Sequence, residues 1–202
     1  MAPEWVVAPE WGLCLIPHFG AEPKMGRAAR IDRAGFAGLL CGMAMVIGID
    51  PGVSGAVALV ERSKDGFYRV HAVHDLPLWS ETTSAGKVRR YIDGPALLAI
   101  LEGMEADRIT CERMVAPPGI SSNTAFSMGA TMGVLQAVLR AQDRPFKFVV
   151  SSVWKRSLDC PPDKEKARQM AGQLMGFDFW PLKKDHNRAE AALIACYGCL
   201  SG

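Results

Sequence analysis

From Met45 onward the apolar and polar positions fall into regular periods, and the elements they predict alternate in a way that defines a fold. Residues 46–50, Val-Ile-Gly-Ile-Asp, are apolar up to the last position, the pattern of a central strand covered on both faces. Strands at 55–62 and 67–75 follow, with turn signals at Pro51-Gly52 and Asp65-Gly66, so an antiparallel meander opens the domain. A helix at 95–106, a strand at 108–112, a long helix at 122–141 and a strand at 146–150 come next, and alternation of this kind adds strands in parallel. Helices at 163–175 and 186–199 close the chain, separated by a loop containing Phe, Trp and Pro. The expected class is α/β, a central mixed five-stranded sheet flanked by helices, formed by residues 45–202.

Residues 1–44 have no such period. They carry four prolines and six glycines, and read as a tail: either a real extension or the product of a start codon assigned too far upstream.

Composition narrows the class of protein. Hydrophobic residues make up 49% and charged residues 22% of 202 positions, the profile of a globular chain. Twenty-three basic against 21 acidic side chains leave +2, too little for a non-specific nucleic-acid coat, so any nucleic-acid surface is local. The longest uncharged apolar run, 36–49, falls short of the roughly 18 residues needed to cross a bilayer. A secretory leader is not expected either, because Glu4, Pro9, Glu10 and Pro17 break up the start. Six cysteines without a short-spaced framework are expected as free thiols in a reducing compartment. Cys196 and Cys199 lack a second metal-binding pair and are expected in the core.

The candidate chemistry lies in acids at element ends. Asp50 ends the first strand just before Pro51-Gly52, where it either caps the turn or, if buried, needs a cation or an ion pair. Glu112 ends the fourth strand and, taken alone, would be a solvated rim residue or a partner of Arg113. Two strands thus deliver two acids to one edge. In the final helix Asp185 stands at the N-cap, whereas Glu190 lies a turn inside, on a face shared with or adjoining Leu193, Ile194 and Tyr197, and should turn toward the sheet. Helix geometry puts His186 about 40° and Asn187 about 60° from Glu190 around the axis. Converging oxygen ligands of this kind suit Mg²⁺ or Mn²⁺ better than zinc.

This ordered set resembles the RuvC-type Holliday junction resolvases of the RNase H-like superfamily, in particular their phage and prophage branch. The resemblance rests on Gly48-Ile-Asp50-Pro-Gly, Cys111-Glu112-Arg113-Met114, Ser122 to Gly129, Val153-Trp154-Lys155, Asp163 to Arg168 and Asp185 to Ala191, and covers nearly all of 45–202. It implies a homodimeric, metal-dependent endonuclease of the bacterial cytoplasm, prophage- or phage-encoded, that cuts opposed strands of four-way DNA junctions. The chemistry implied is two-metal hydrolysis with Mg²⁺ or Mn²⁺, leaving 5′-phosphate and 3′-hydroxyl ends. Asp50, Glu112 and Glu190 match the family's acid positions. The position of a further acid, three residues before the last, is here the neutral Asn187. Asp185 is the expected substitute as fourth catalytic and metal-binding acid, with His186 second or as a proton-transfer auxiliary.

Phosphate contacts are expected from local basic clusters. Lys155 and Lys164 fall in segments that match the family and flank the acidic helix. Lys87, Arg89 and Arg90, in a Ser/Thr/Gly-rich loop, are expected to clamp a junction arm, and Arg188 accompanies the last acids. Gly129 and Gly133 on the long helix permit a close helix approach, either onto its own sheet or between subunits.

Overall fold

The structure is a computed structural model that describes residues 43–201. The segment read as a tail lies outside the described residues but for its last two. Five strands, β1 (Ala44–Asp50), β2 (Ala56–Arg62), β3 (Tyr68–Asp75), β6 (Arg108–Glu112) and β7 (Phe146–Val149), form one sheet in the order β3-β2-β1-β6-β7. The meander β1-β2-β3 is antiparallel, while β6 adds to β1 and β7 to β6 in parallel. The α/β class and the mixed sheet expected from the periodicity are both present.

Alternation along the strands sorts side chains into two cores. Val46, Ala56, Ala58 and Val60 face one layer, built from α3 (Ser151–Leu158), α4 (Lys164–Met175) and α5 (His186–Leu200). Ile47, Ile49, Val57, Leu59, Ile109 and Cys111 face the other, built from α1 (Gly94–Glu102) and α2 (Ser122–Ala141). Helix α5 lies centrally on the sheet and is buried on nearly every side after its first turn. Its approach depends on two glycines. A Cβ on Gly48 would stand 2.1 Å from the Ala191 carbonyl oxygen, and one on Gly198 would stand 2.5 Å from Thr110 Oγ1. Backbone packs directly on backbone at Gly48, which fixes the height of α5 over β1. Cys111, Cys160, Cys196 and Cys199 are buried thiols, and Cys196 and Cys199 lie in the core as expected.

Three features depart from the sequence reading. Helix α1 ends at Glu102, with Gly103 as its cap, rather than at 106. The segment after β7 forms α3, which periodicity did not reveal because only eight residues carry it. The stretch read as a loop holds a hairpin, β4 (Leu78–Thr82) with β5 (Val88–Ile92), which pair with each other and not with the main sheet. Beyond its base neither face of this hairpin is covered, so no apolar alternation marks it. Gly129 and Gly133 do not pack on the sheet; nothing lies within 4 Å of a Cβ built on either. Helix α2 instead docks through Thr131, Leu135, Val138 and Leu139.

Candidate active site

The parallel half of the sheet gathers the site. Gly48 pairs with Thr110 and Ile49 with Cys111, so Asp50 and Glu112 end neighbouring strands at the same edge. The period of two puts Asp50 with Val46 and Gly48, and Glu112 with Thr110, on the face covered by α5. Glu112 pairs in turn with Val149, the last residue of β7, and α3 starts two residues later over the same edge. Helix α5 brings Glu190, which is buried.

Two consecutive residues of α3 engage two of these acids. Trp154 Nε1 donates to Glu112 Oε2 at 2.7 Å, and Lys155 Nζ donates to Glu190 Oε1 at 2.6 Å. Trp154 is fully buried. The third acid, Asp50, has its pKa raised well above the usual carboxylate range, first by burial and then by the charges of Glu190 and Glu112, with Lys164 and Lys155 pulling the other way. Glu112 is also raised, first by burial, with the Trp154 bond opposing and Glu190 adding to the rise. Burial pulls Lys155 down, but the hydrogen bond and charge of Glu190 outweigh it and leave the amine above the ordinary lysine value. Three acids and two lysines therefore sense one another at one sheet edge. As placed, no three acid, histidine or cysteine side chains among the described residues already surround a single point as a metal would require.

The other expected residues are placed beside this cluster. Asp185 is buried, and its carboxylate accepts from the Leu182 backbone N–H at 3.0 Å, reaching back across the 3-10 turn Lys183–Asp185 rather than capping α5. Its charge acts on Arg168 and Arg188. His186 Nδ1 lies 3.1 Å from the Lys183 carbonyl. Asn187 donates from Nδ2 to the Ser54 carbonyl at 2.6 Å and faces Lys164 Nζ, 3.4 Å from its Oδ1. Arg188 makes a two-point pair with Asp75, at 2.7 and 2.6 Å, which holds the Asp75 carboxyl below its ordinary pKa. Lys87, Arg89 and Arg90 sit on the β5 side of the hairpin, exposed. At the start of α5 runs a cleft of about 350 Å³ lined by Ser54, Leu78, Asp185, Asn187 and Arg188 among others.

No protein-family model and no curated protein matches the chain. Among solved structures, Thermus thermophilus RuvC in complex with a Holliday junction substrate is similar over 77% of this chain and 93% of its own, with a TM-score of 0.54 at 15% identity. The chain has the fold of that RuvC. A second Thermus thermophilus RuvC structure covers the same shares at 17% identity and TM-score 0.48. The fowlpox virus Holliday junction resolvase covers 75% of this chain and 93% of its own at 10% identity and TM-score 0.41. The fold identification rests on the first of these.

On this RuvC fold, sequence reasoning missed Trp154 as a partner of Glu112, although the position directly before Lys155 was the available signal. It also missed Asp75, whose place at the end of β3 gives it the same edge as Asp50. Register alone reveals this, since Ala56 pairs with both Asp50 and Asp75.

Proposed function

We propose that this protein is a Holliday junction resolvase, an endonuclease that cuts opposed strands of a four-way DNA junction and leaves 5′-phosphate and 3′-hydroxyl ends. Its work would be DNA recombination and repair or phage DNA processing in the bacterial cytoplasm. The observation that carries the reading is the convergence of Asp50, Glu112 and Glu190 at one sheet edge, near enough for the latter two charges to raise the pKa of the first. These residues fit a hard divalent cation: the donors are all carboxylate oxygens, and their mutual repulsion at a buried edge is what a cation relieves. The bonds from Trp154 and Lys155 each engage one oxygen of their acid, so each carboxylate keeps a second oxygen as a donor. Bound among these acids, Mg²⁺ or Mn²⁺, as one ion or two, would activate water and stabilise the leaving oxygen.

The chain's own groups do the rest. Lys155 and Lys164, beside the acids, supply positive charge for the scissile phosphate, and their position favours backbone contact over base readout. Asp50, Glu112 and Glu190 form the acid set of this reading, with Asp185, one of whose oxygens holds the turn that presents Asn187, as its candidate fourth member. A homodimer would put two such sites on opposed strands, and the bare side of α2, with exposed Phe126 and the open positions at Gly129 and Gly133, suits a helix from a second subunit. Arg188, engaged with Asp75, is the weakest of the expected DNA contacts.

One observation favours a second reading. The neutral Asn187, with contacts to Ser54 and Lys164, leaves the edge one acid short of the family pattern, as in a protein that binds junctions without cutting them. Cleavage of a labelled mobile junction, beside linear duplex and flap DNA, with Mg²⁺, Mn²⁺ or EDTA, tests both. Symmetric, ligatable nicks that need metal and disappear in Asp50→Asn support the resolvase. Tight binding without nicks supports the second reading, and equal cutting of every branched form indicates a broader nuclease.

A further inference from the structure

The hairpin β4–β5 stands apart from both cores once past its base. Leu78 and Ile92 form that base: Ile92 is buried, Leu78 packs against the same core, and the Asp93 N–H donates to the Pro77 carbonyl at 2.9 Å. Above it, the pairs Ser80–Arg90, Glu81–Arg89 and Thr82–Val88 are exposed on both faces. A two-stranded ribbon with little packing is marginal by itself, so an uncovered one with a large aromatic on it needs a reason. The aromatic is Trp79. It is 46% exposed and stacks on its cross-strand partner Tyr91, with ring centroids 4.9 Å apart and planes 25° from parallel. Trp154 and Trp180, by contrast, are fully buried.

Charge identifies the occupant. Lys87 and Arg89 share the face of the stack and Arg90 lies on the other, whereas the only acid on the two strands, Glu81, accepts from the Tyr91 hydroxyl at 3.2 Å. A stacked, half-open aromatic pair among cations is the chemistry of a surface that takes a nucleobase on its ring and phosphates on its side chains. The base of the hairpin also borders the cleft at the start of α5, because Leu78 lines it together with Ser54, Asp185 and Asn187. We infer that the β4–β5 hairpin is a nucleic-acid contact element in which the Trp79–Tyr91 stack receives an unpaired base of branched DNA, with Lys87 and Arg89, on the same face, against the adjoining backbone. This rests on the DNA-cutting reading above and adds to it the element that would hold a junction open.

The test uses the full chain in EDTA, so that binding is read without cutting. The probes are a four-way junction carrying 2-aminopurine at the crossover and a fully paired duplex carrying it at the same sequence position. Wild type should quench or shift the junction probe and leave the duplex probe unchanged. Trp79→Ala should lose that signal and bind the junction roughly 5- to 100-fold more weakly, with duplex affinity kept, while Trp79→Phe should keep most of both effects. Trp79 is exposed, so an unchanged melting temperature is expected and establishes that the loss is local. If wild type binds the junction and Trp79→Ala matches it in signal and affinity, the hairpin inference is overturned and the resolvase reading stands. If wild type binds no branched DNA, both fall.

Discussion

The indole N–H of Trp154 and the carboxylate of Glu112 are joined at 2.7 Å across the end of the parallel sheet, and the residue after Trp154 holds Glu190 in the same way. One short helix thereby sets the direction of two acids from different elements. Trp154→Phe keeps an aromatic ring in the core and removes only the donor. The expected cost is about 1 kcal/mol of stability, because a half-buried carboxylate oxygen loses its partner. Cleavage should fall about tenfold or more through a misdirected Glu112, and the concentration of Mn²⁺ giving half-maximal binding by calorimetry should rise. Unchanged metal affinity would leave Trp154 with a packing role alone.

Lys155→Met leaves Glu190 buried without its cation. Loss of one partner from a largely buried pair costs roughly 2–4 kcal/mol, whereas Lys155→Met with Glu190→Gln should recover much of it. Because Lys155 titrates above its ordinary value in the fold, the pair's stabilisation is complete below the unfolded lysine value and fades only as pH rises through the elevated one. Denaturant melts of the four variants of this cycle at neutral and strongly alkaline pH measure both statements.

Asp50 presents the opposite sign. Its raised pKa means that the folded protein holds a proton that the unfolded chain has released, so in the absence of metal the domain loses stability as pH rises from the ordinary carboxylate range through the elevated value. Asp50→Asn removes that burden. At neutral pH without divalent metal it should melt about 2–4 °C higher than wild type, the shift that about 1 kcal/mol produces in a domain of this size, while cleavage is abolished. A variant that melts lower, or equally at all pH, would contradict the repulsion described for this edge.

Gly48→Ala should be among the most damaging single substitutions. The added methyl meets the Ala191 carbonyl and the Ala195 nitrogen, which are backbone atoms and cannot turn aside. A loss of at least about 3 kcal/mol is expected, at the upper end of overpacking effects, with Glu190 displaced from Asp50. Thermal melts give the first quantity, and loss of cleavage out of proportion to the unfolded fraction gives the second.

The sheet was legible in the sequence because its strands are covered on one or both faces, and burial writes itself into the apolar pattern of residues such as Val46 to Ile49 and Ile109 to Cys111. The three principal acids were legible for a related reason: Asp50 and Glu112 end apolar strands, and Glu190 interrupts an apolar helix face. What escaped was whatever burial does not encode. The hairpin carries no alternation because it faces solvent on both sides, and the bond from Trp154 to Glu112 depends on where α3 begins after β7, which a run of eight residues does not announce. Arg188 looked like a free cation because its partner, Asp75, lies far away in sequence and reaches it only through the β2–β3 register.

That register also divides the sheet by task. Asp50, Ala56 and Asp75 lie at the edge that holds the acids, so the turn between β2 and β3, Ser63 to Phe67, lies at the opposite end of the same two strands. None of the proposed site residues is anchored there. The chain can be lengthened, labelled or fused to another protein at Asp65-Gly66 at the cost of a solvent-exposed turn, which makes that point a handle by which the protein can be tethered while both the acid-bearing edge and the bare side of α2 remain free.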